Sequence, residues 1–226
     1  MALIDEKSRN MLEERFKKEM AEPVNVILFT AKLNTTPEQD ETINFMRQIL
    51  KELSEIDKRI SIKEASLFDE IATKNNIKVI PSLIIYSEKF PGKFIFHGTP
   101  AGYEIQSLVE ILTMFSSGES GIADTNIERL KKIDKSLSLK VFVTPTCPYC
   151  PMSVILAAKM SLASDGKIIA EGIEAEELPE LSREFQVSSV PQQVINDDPS
   201  TITIGAQPED FLVEQVINYA QSSDNT

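Results

Sequence analysis

Only two residues of this 226-residue chain carry a thiol, and they stand three positions apart, as Cys147 and Cys150. They lie in the string Thr144-Pro145-Thr146-Cys147-Pro148-Tyr149-Cys150-Pro151. An apolar, β-like segment (139–143) leads into the string, and an apolar helical segment (152–162) leads out of it. A Cys-x-x-Cys at a strand-to-helix junction is the arrangement that disulfide exchange needs. The helix start presents unpaired N–H groups and the positive end of the dipole, which favour a thiolate on Cys147. That thiolate can attack a disulfide, and Cys150, one turn later, can resolve the mixed disulfide. Two rival uses of the pair fit poorly. Structural zinc takes about four Cys or His ligands, whereas the chain offers two Cys and one histidine, His97, so no metal site is expected. A purely structural i,i+3 bridge closes almost no loop and restricts the unfolded chain very little.

The length suits two domains of about 110 residues each. A hydrophobic content of 42% is ample for a core, and a net charge of −12 argues against nucleic acid and anionic membranes as partners. No run approaches the ~20 apolar residues of a membrane span, and residues 1–7 contain no apolar h-region. The sequence therefore reads as soluble and cytoplasmic, a setting in which a Cys pair is more often catalytic than structural.

Along the chain, apolar spacing predicts a helix at 8–20, a strand at 24–30, a helix at about 43–56 and a strand from Ile60. A short helix (67–74), a strand after Pro81, a hairpin partner (94–96) and a helix opening near Gly102 follow. The small, polar stretch 116–121 marks a boundary between domains 1–118 and 119–226. Beyond it the order of parts returns: Val26 corresponds to Lys140, Pro81 to Pro191 and Gly98 to Gly205, at offsets of 107 to 114 residues. Two similar α/β domains are expected, each a mixed sheet flanked by helices.

Strand, Cys-x-x-Cys, helix, then Val-Pro before a hairpin and a last helix resembles the thioredoxin-fold order. The string 144–150 looks like a glutaredoxin active site. Two such units resemble the two-domain protein disulfide oxidoreductases of thermophilic archaea and bacteria. The paired-fold N-terminal module of the flavoprotein subunit of alkyl hydroperoxide reductase is similar too. Gly98-Thr-Pro-Ala-Gly-Tyr-Glu104, leading into Ser107-Leu-Val-Glu, resembles the end of the first domain in both groups. The resemblance implies an exposed nucleophile at Cys147 and a buried resolving thiol at Cys150. Pro148 and Tyr149 would be surface residues that set the potential. Val190-Pro191 would be a cis-proline segment whose backbone pairs with an extended substrate, a form of strand addition. Apart from the redox-active disulfide no cofactor is implied. The partners would be protein disulfides, with a thioredoxin reductase-like flavoprotein or glutathione as donor; Glu209 or Asp210 would meet the glutathione amino group.

Two departures stand out. Val141 occupies the place of the buried acid of thioredoxins, so the proton of Cys150 must go to water or to a Glu that the sequence does not identify. The loop 33–37 lacks the cysteines that many relatives carry there, which leaves Asn34 or Thr36 to cap a helix and makes the first domain redox-inert. Ile80, before Pro81, would still offer a backbone edge to clients. A client-binding protein and an electron-relay module for a peroxidase are the competing readings. His97 is expected at a strand edge, and the acidic run 171–180 in solvent.

Overall fold

The apolar run of the first strand, β1 (Val24–Phe29), is buried on both faces. Val24, Val26 and Leu28 enter one large core, while Ile27 and Phe29 enter a smaller one on the opposite side. A strand apolar on both faces belongs in the interior of a sheet covered on both sides, and the computed structural model, which describes residues 2–31 and 35–222, places it there.

Around β1 the first half holds α1 (Glu6–Glu19), α2 (Pro37–Ile56), β2 (Ile60–Ala65), α3 (Glu70–Lys74), β3 (Ser82–Tyr86), β4 (Lys93–His97) and α4 (Glu104–Ser117). The second half comprises α5 (Asp124–Leu130), β5 (Leu137–Val143), α6 (Cys150–Ala163), β6 (Ile168–Glu174), α7 (Pro179–Glu184), β7 (Gln192–Ile195), β8 (Thr203–Ile204) and α8 (Glu209–Ser222). Local chemistry sets the ends. Thr36 opens α2 with a capping box: its hydroxyl accepts the Gln39 N–H at 3.2 Å, and the Gln39 side chain accepts the Thr36 N–H at 3.1 Å. Of the expected caps, Asn34 lies outside the described residues, as does Leu33. Ile43, Met46, Leu50 and Leu53 face the core, as their helical spacing predicts. The last hairpin strand, β8, is only two residues long. Thr201 instead closes a 3-10 turn, its hydroxyl accepting the Ile195 N–H at 2.9 Å and donating to the Asp198 carbonyl at 2.7 Å.

All eight strands form one mixed sheet, ordered β2-β1-β3-β4-β6-β5-β7-β8. The halves join where β4 and β6 pair in parallel, Phe94 opposite Ala170 and Phe96 opposite Gly172. Large rings meet small residues there. A Cβ on Gly172 would lie 2.6 Å from the Phe96 ring, so a glycine is what admits it. The large core runs unbroken across this seam, beneath α2, α4, α6 and α8. Among the described residues no helix is long and apolar enough to cross a membrane.

The seam overturns two expectations. His97 does not sit at a strand edge but is buried between β3 and β6. Its Nδ1 lies 3.0 Å from the Ser82 hydroxyl and its Nε2 3.1 Å from Glu171. Nor is the acidic run wholly solvated. Glu174 is buried, and Glu171 is largely covered and pairs with Lys140 at 3.2 Å. Burial pushes the Glu171 carboxyl up, but hydrogen bonding from His97 and the Lys140 charge outweigh it and hold the group below its usual range.

Candidate active site

Strand β5 ends at Val143, and the next residues turn the chain into α6. Within the turn the Cys147 N–H donates to the Thr144 carbonyl at 3.2 Å. Helix α6 then begins at Cys150, whose N–H donates to Sγ of Cys147 at 3.1 Å. This is the helix-start placement that the sequence predicts, with a backbone donor directed at the sulfur. The two cysteines form a disulfide with their Cα atoms 5.5 Å apart. Cys150 is fully buried and Cys147 is 9% exposed. The exposed nucleophile implied by the resemblance is thus not exposed as a side chain: Cys147 belongs to the core, though it is covered less completely than Cys150.

Pro148 and Tyr149 are exposed, Tyr149 by 65%. The Val190–Pro191 peptide is cis, and the Val190 carbonyl oxygen lies 3.9 Å from Sγ of Cys147. The Val190 N–H meets no partner among the described residues. The Pro191 carbonyl accepts the Gly205 N–H at 2.8 Å, which fixes this segment beside the disulfide. In the first half the Ile80–Pro81 peptide is also cis, and the Pro81 carbonyl accepts the Gly98 N–H at 2.9 Å, so the segment recurs without thiols. Glu209 and Asp210 are engaged elsewhere: both accept from the Asn126 side chain, at 2.9 and 2.8 Å, and Glu209 also accepts the Ala123 N–H.

A contact between the halves adds residues that sequence reasoning missed. The Tyr103 N–H donates to the Pro145 carbonyl at 3.0 Å, two residues from Cys147. That approach needs the glycine before it: Gly102 has φ +58°, and a Cβ there would lie 2.2 Å from the same oxygen. Next comes Glu104, only 1% exposed, at the start of α4, which packs against α6. The Ser107 hydroxyl donates to its Oε2 at 2.5 Å, but Oε1 has no partner among the described residues. Burial pushes Glu104 up to about 7, and the Ser107 hydrogen bond only partly opposes this. Glu174, at the end of β6, is also raised to about 7 by burial, although it accepts the backbone N–H groups of Glu176 and Glu177.

Two carboxyls raised by burial leave a signature in stability. Between about 4.5, the usual carboxyl value, and about 7 the folded chain binds more protons than the unfolded chain. Their contribution is complete at the acid end of that window and is lost as pH rises through it. We therefore expect Glu104→Gln to reduce the loss of stability between pH 5 and pH 8, with a gain at pH 8 on the order of 1–3 kcal/mol. Urea unfolding at the two pH values checks this; an unchanged pH slope would contradict it.

Comparison with known proteins accords with this geometry. Residues 137–218 match a family model of the thioredoxin domain. The structure superimposes on a protein disulfide oxidoreductase from Aeropyrum pernix K1 with a TM-score of 0.81 at 25% identity, covering 98% of this chain and 96% of that one. This is the thioredoxin fold. The NTD_N/C domain of the alkylhydroperoxide reductase AhpF from Enterococcus faecalis has the same fold, with a TM-score of 0.80 at 22% identity over 94% of this chain and 99% of that one. In sequence the chain is 25% identical over 144 residues to the corresponding alkyl hydroperoxide reductase component of Staphylococcus aureus. That match covers 62% of this chain but only 26% of the staphylococcal protein, so the chain spans about a quarter of the curated relatives' length. Both cysteines and the Val190-Pro191 segment lie inside the matched thioredoxin domain, whereas Gly102 and Glu104 lie before it.

Proposed function

We propose that the chain is a thiol–disulfide oxidoreductase built from two thioredoxin-like units, 1–118 without redox cysteines and 119–226 with the Cys147–Cys150 pair. The observation that carries this reading is the Cys147–Cys150 disulfide at the start of α6, with Sγ of Cys147 between the Cys150 N–H and the Val190 carbonyl and its partner sulfur fully buried. In the reductive direction the Cys147 thiolate attacks one sulfur of a substrate disulfide. A mixed disulfide forms, and the other substrate sulfur leaves as a thiolate that takes a proton from solvent. Cys150 then loses its proton and attacks Sγ of Cys147, which closes the 147–150 disulfide and releases the second substrate thiol. Two electrons have passed to the substrate; the reverse sequence oxidises a dithiol.

Glu104 is the proton acceptor for Cys150 in this scheme. It is buried at the start of the helix packed on α6, has an open Oε1 and has its proton equilibrium moved to about 7. Val190 receives the extended substrate main chain through its free N–H, and Pro148 and Tyr149 line the approach.

The likeness to alkyl hydroperoxide reductase favours a relay between a flavoprotein and a peroxide-reducing partner as the physiological setting. Reduction of the purified disulfide by a thioredoxin reductase-type flavoprotein, but not by glutathione, is the outcome this setting predicts. Efficient reduction by glutathione alone would contradict it. The exchange chemistry has its own test, the rate of Cys147 alkylation against pH. An inflection below the ~8.5 of free cysteine is expected; one at that value would count against an activated thiolate.

A further inference from the structure

Helices α1 and α4 lie side by side with their C-terminal ends together, where the Glu22 and Ala21 N–H groups both donate to Ser116. Their N-terminal ends therefore share the side of the molecule where α4 meets the redox loop. Between them runs a groove of about 500 Å³, lined by Met11, Leu12, Tyr103, Ile105 and Val109. Arg15 also lines it, and its guanidinium is committed to Glu19 and Glu110. The groove thus holds no spare cation for an acidic group, and its walls are mainly apolar, with Ser8 and Gln106 the uncharged polar members of the lining. Its mouth is fixed to the site: Tyr103, one of its walls, donates its N–H to Pro145. Pro145 stands two residues from Cys147, a span of at most ~7 Å along an extended chain.

Half of the exposed large apolar side chains lie along this path. Of the eight large apolar side chains exposed among the described residues, Met11 and Tyr103 lie on the groove and Tyr149 and Met152 on or beside the redox loop. Clustered exposed apolar residues mark binding surfaces, whereas single ones need no explanation. Methionine adapts its shape to varied partners.

We propose that this groove receives an uncharged, apolar side chain of the polypeptide whose disulfide is exchanged, a few residues from the attacked sulfur. The first half of the molecule would then select clients although it holds no thiol. The occupant is an extended segment of the substrate itself, because the hydrogen bond from Tyr103 to Pro145 ties a wall of the groove to the loop that carries Cys147. The inference rests on the exchange chemistry proposed above.

The test uses the full chain and synthetic peptides that each carry one cystine. In one series a Phe is moved through the positions flanking the cystine; in the reference peptide those positions are Ser. A small aromatic disulfide serves as a substrate too short to reach the groove. We expect kcat/KM to be about ten-fold higher for the best Phe peptide, since burying an aromatic side chain readily supplies a factor of this size. Met11→Ser with Gln106→Glu, both at exposed positions lining the groove, should cut that preference to about two-fold or less and leave turnover of the small disulfide unchanged. A wild-type protein that turns over the small disulfide but shows no Phe preference would overturn the docking proposal alone, as would a preference that survives in the double variant. A wild-type protein inactive on every disulfide would overturn the exchange chemistry as well.

Discussion

Cys147→Ser is expected to reduce turnover of any disulfide substrate by at least about a thousand-fold, the scale seen when an essential nucleophile is removed. The size of the effect follows from the sequence, because the only other thiol in the chain is Cys150. That sulfur is fully buried and cannot replace the lost nucleophile. Folding should survive the change. The Cys147 side chain is at the edge of the core, and an i,i+3 bridge contributes little to stability. Activity on a small aromatic disulfide, measured beside thermal unfolding, separates the two effects. A folded Cys147→Ser protein with substantial activity would show that the chemistry lies elsewhere.

The second large effect is expected far away in sequence, at Gly102→Ala. Alanine at φ +58° costs about 1 kcal/mol on conformation alone. The added Cβ would also stand 2.2 Å from the Pro145 carbonyl oxygen, which is backbone and has no flexible end to move aside. Overpacking of this kind typically adds about 1–3 kcal/mol. With about 2–4 °C per kcal/mol for a chain of this size, Tm should fall by roughly 5–15 °C. The redox loop should respond too, because relieving the clash means breaking the hydrogen bond from Tyr103 to Pro145. Slower exchange by the folded fraction is the expected companion result. Wild-type Tm and wild-type rates in Gly102→Ala would rule out the contact between the halves as an organising element of the site.

What could be read from the sequence was what is local. Cys147, Cys150, Pro148 and Tyr149 belong to one short string, and the strand before it and helix after it follow from apolar spacing alone. Val190-Pro191 was legible through the resemblance to the thioredoxin-fold order. What stayed hidden depends on a pairing distant in sequence. Nothing in the patterns of β4 or β6 states that Phe96 will lie against Gly172, yet that register carries His97, Glu171 and Glu174 into the interior. Glu104 was missed for a related reason. An acid in the first turn of a helix ordinarily faces water and favours the dipole there. Here the same position is closed over by the packing of α4 against the sheet and against α6, which turns a solvated cap residue into a buried carboxyl with a raised proton affinity. The string from Gly98 to Glu104 was recognisable as a resemblance, but its contact with Pro145 was not.

Attack by Cys147 and resolution by Cys150 are separable steps, and the Cys150→Ser protein stops the cycle between them. Reduced Cys150→Ser protein is mixed with an oxidised protein substrate, quenched with acid, blocked at its free thiols and weighed by mass spectrometry. A one-to-one adduct is expected, cleaved by dithiothreitol and mapped to Cys147, that persists because no second thiol remains in the chain to release it. Absence of any adduct, with the substrate nevertheless reduced at the wild-type rate, would refute the division of roles between the two cysteines.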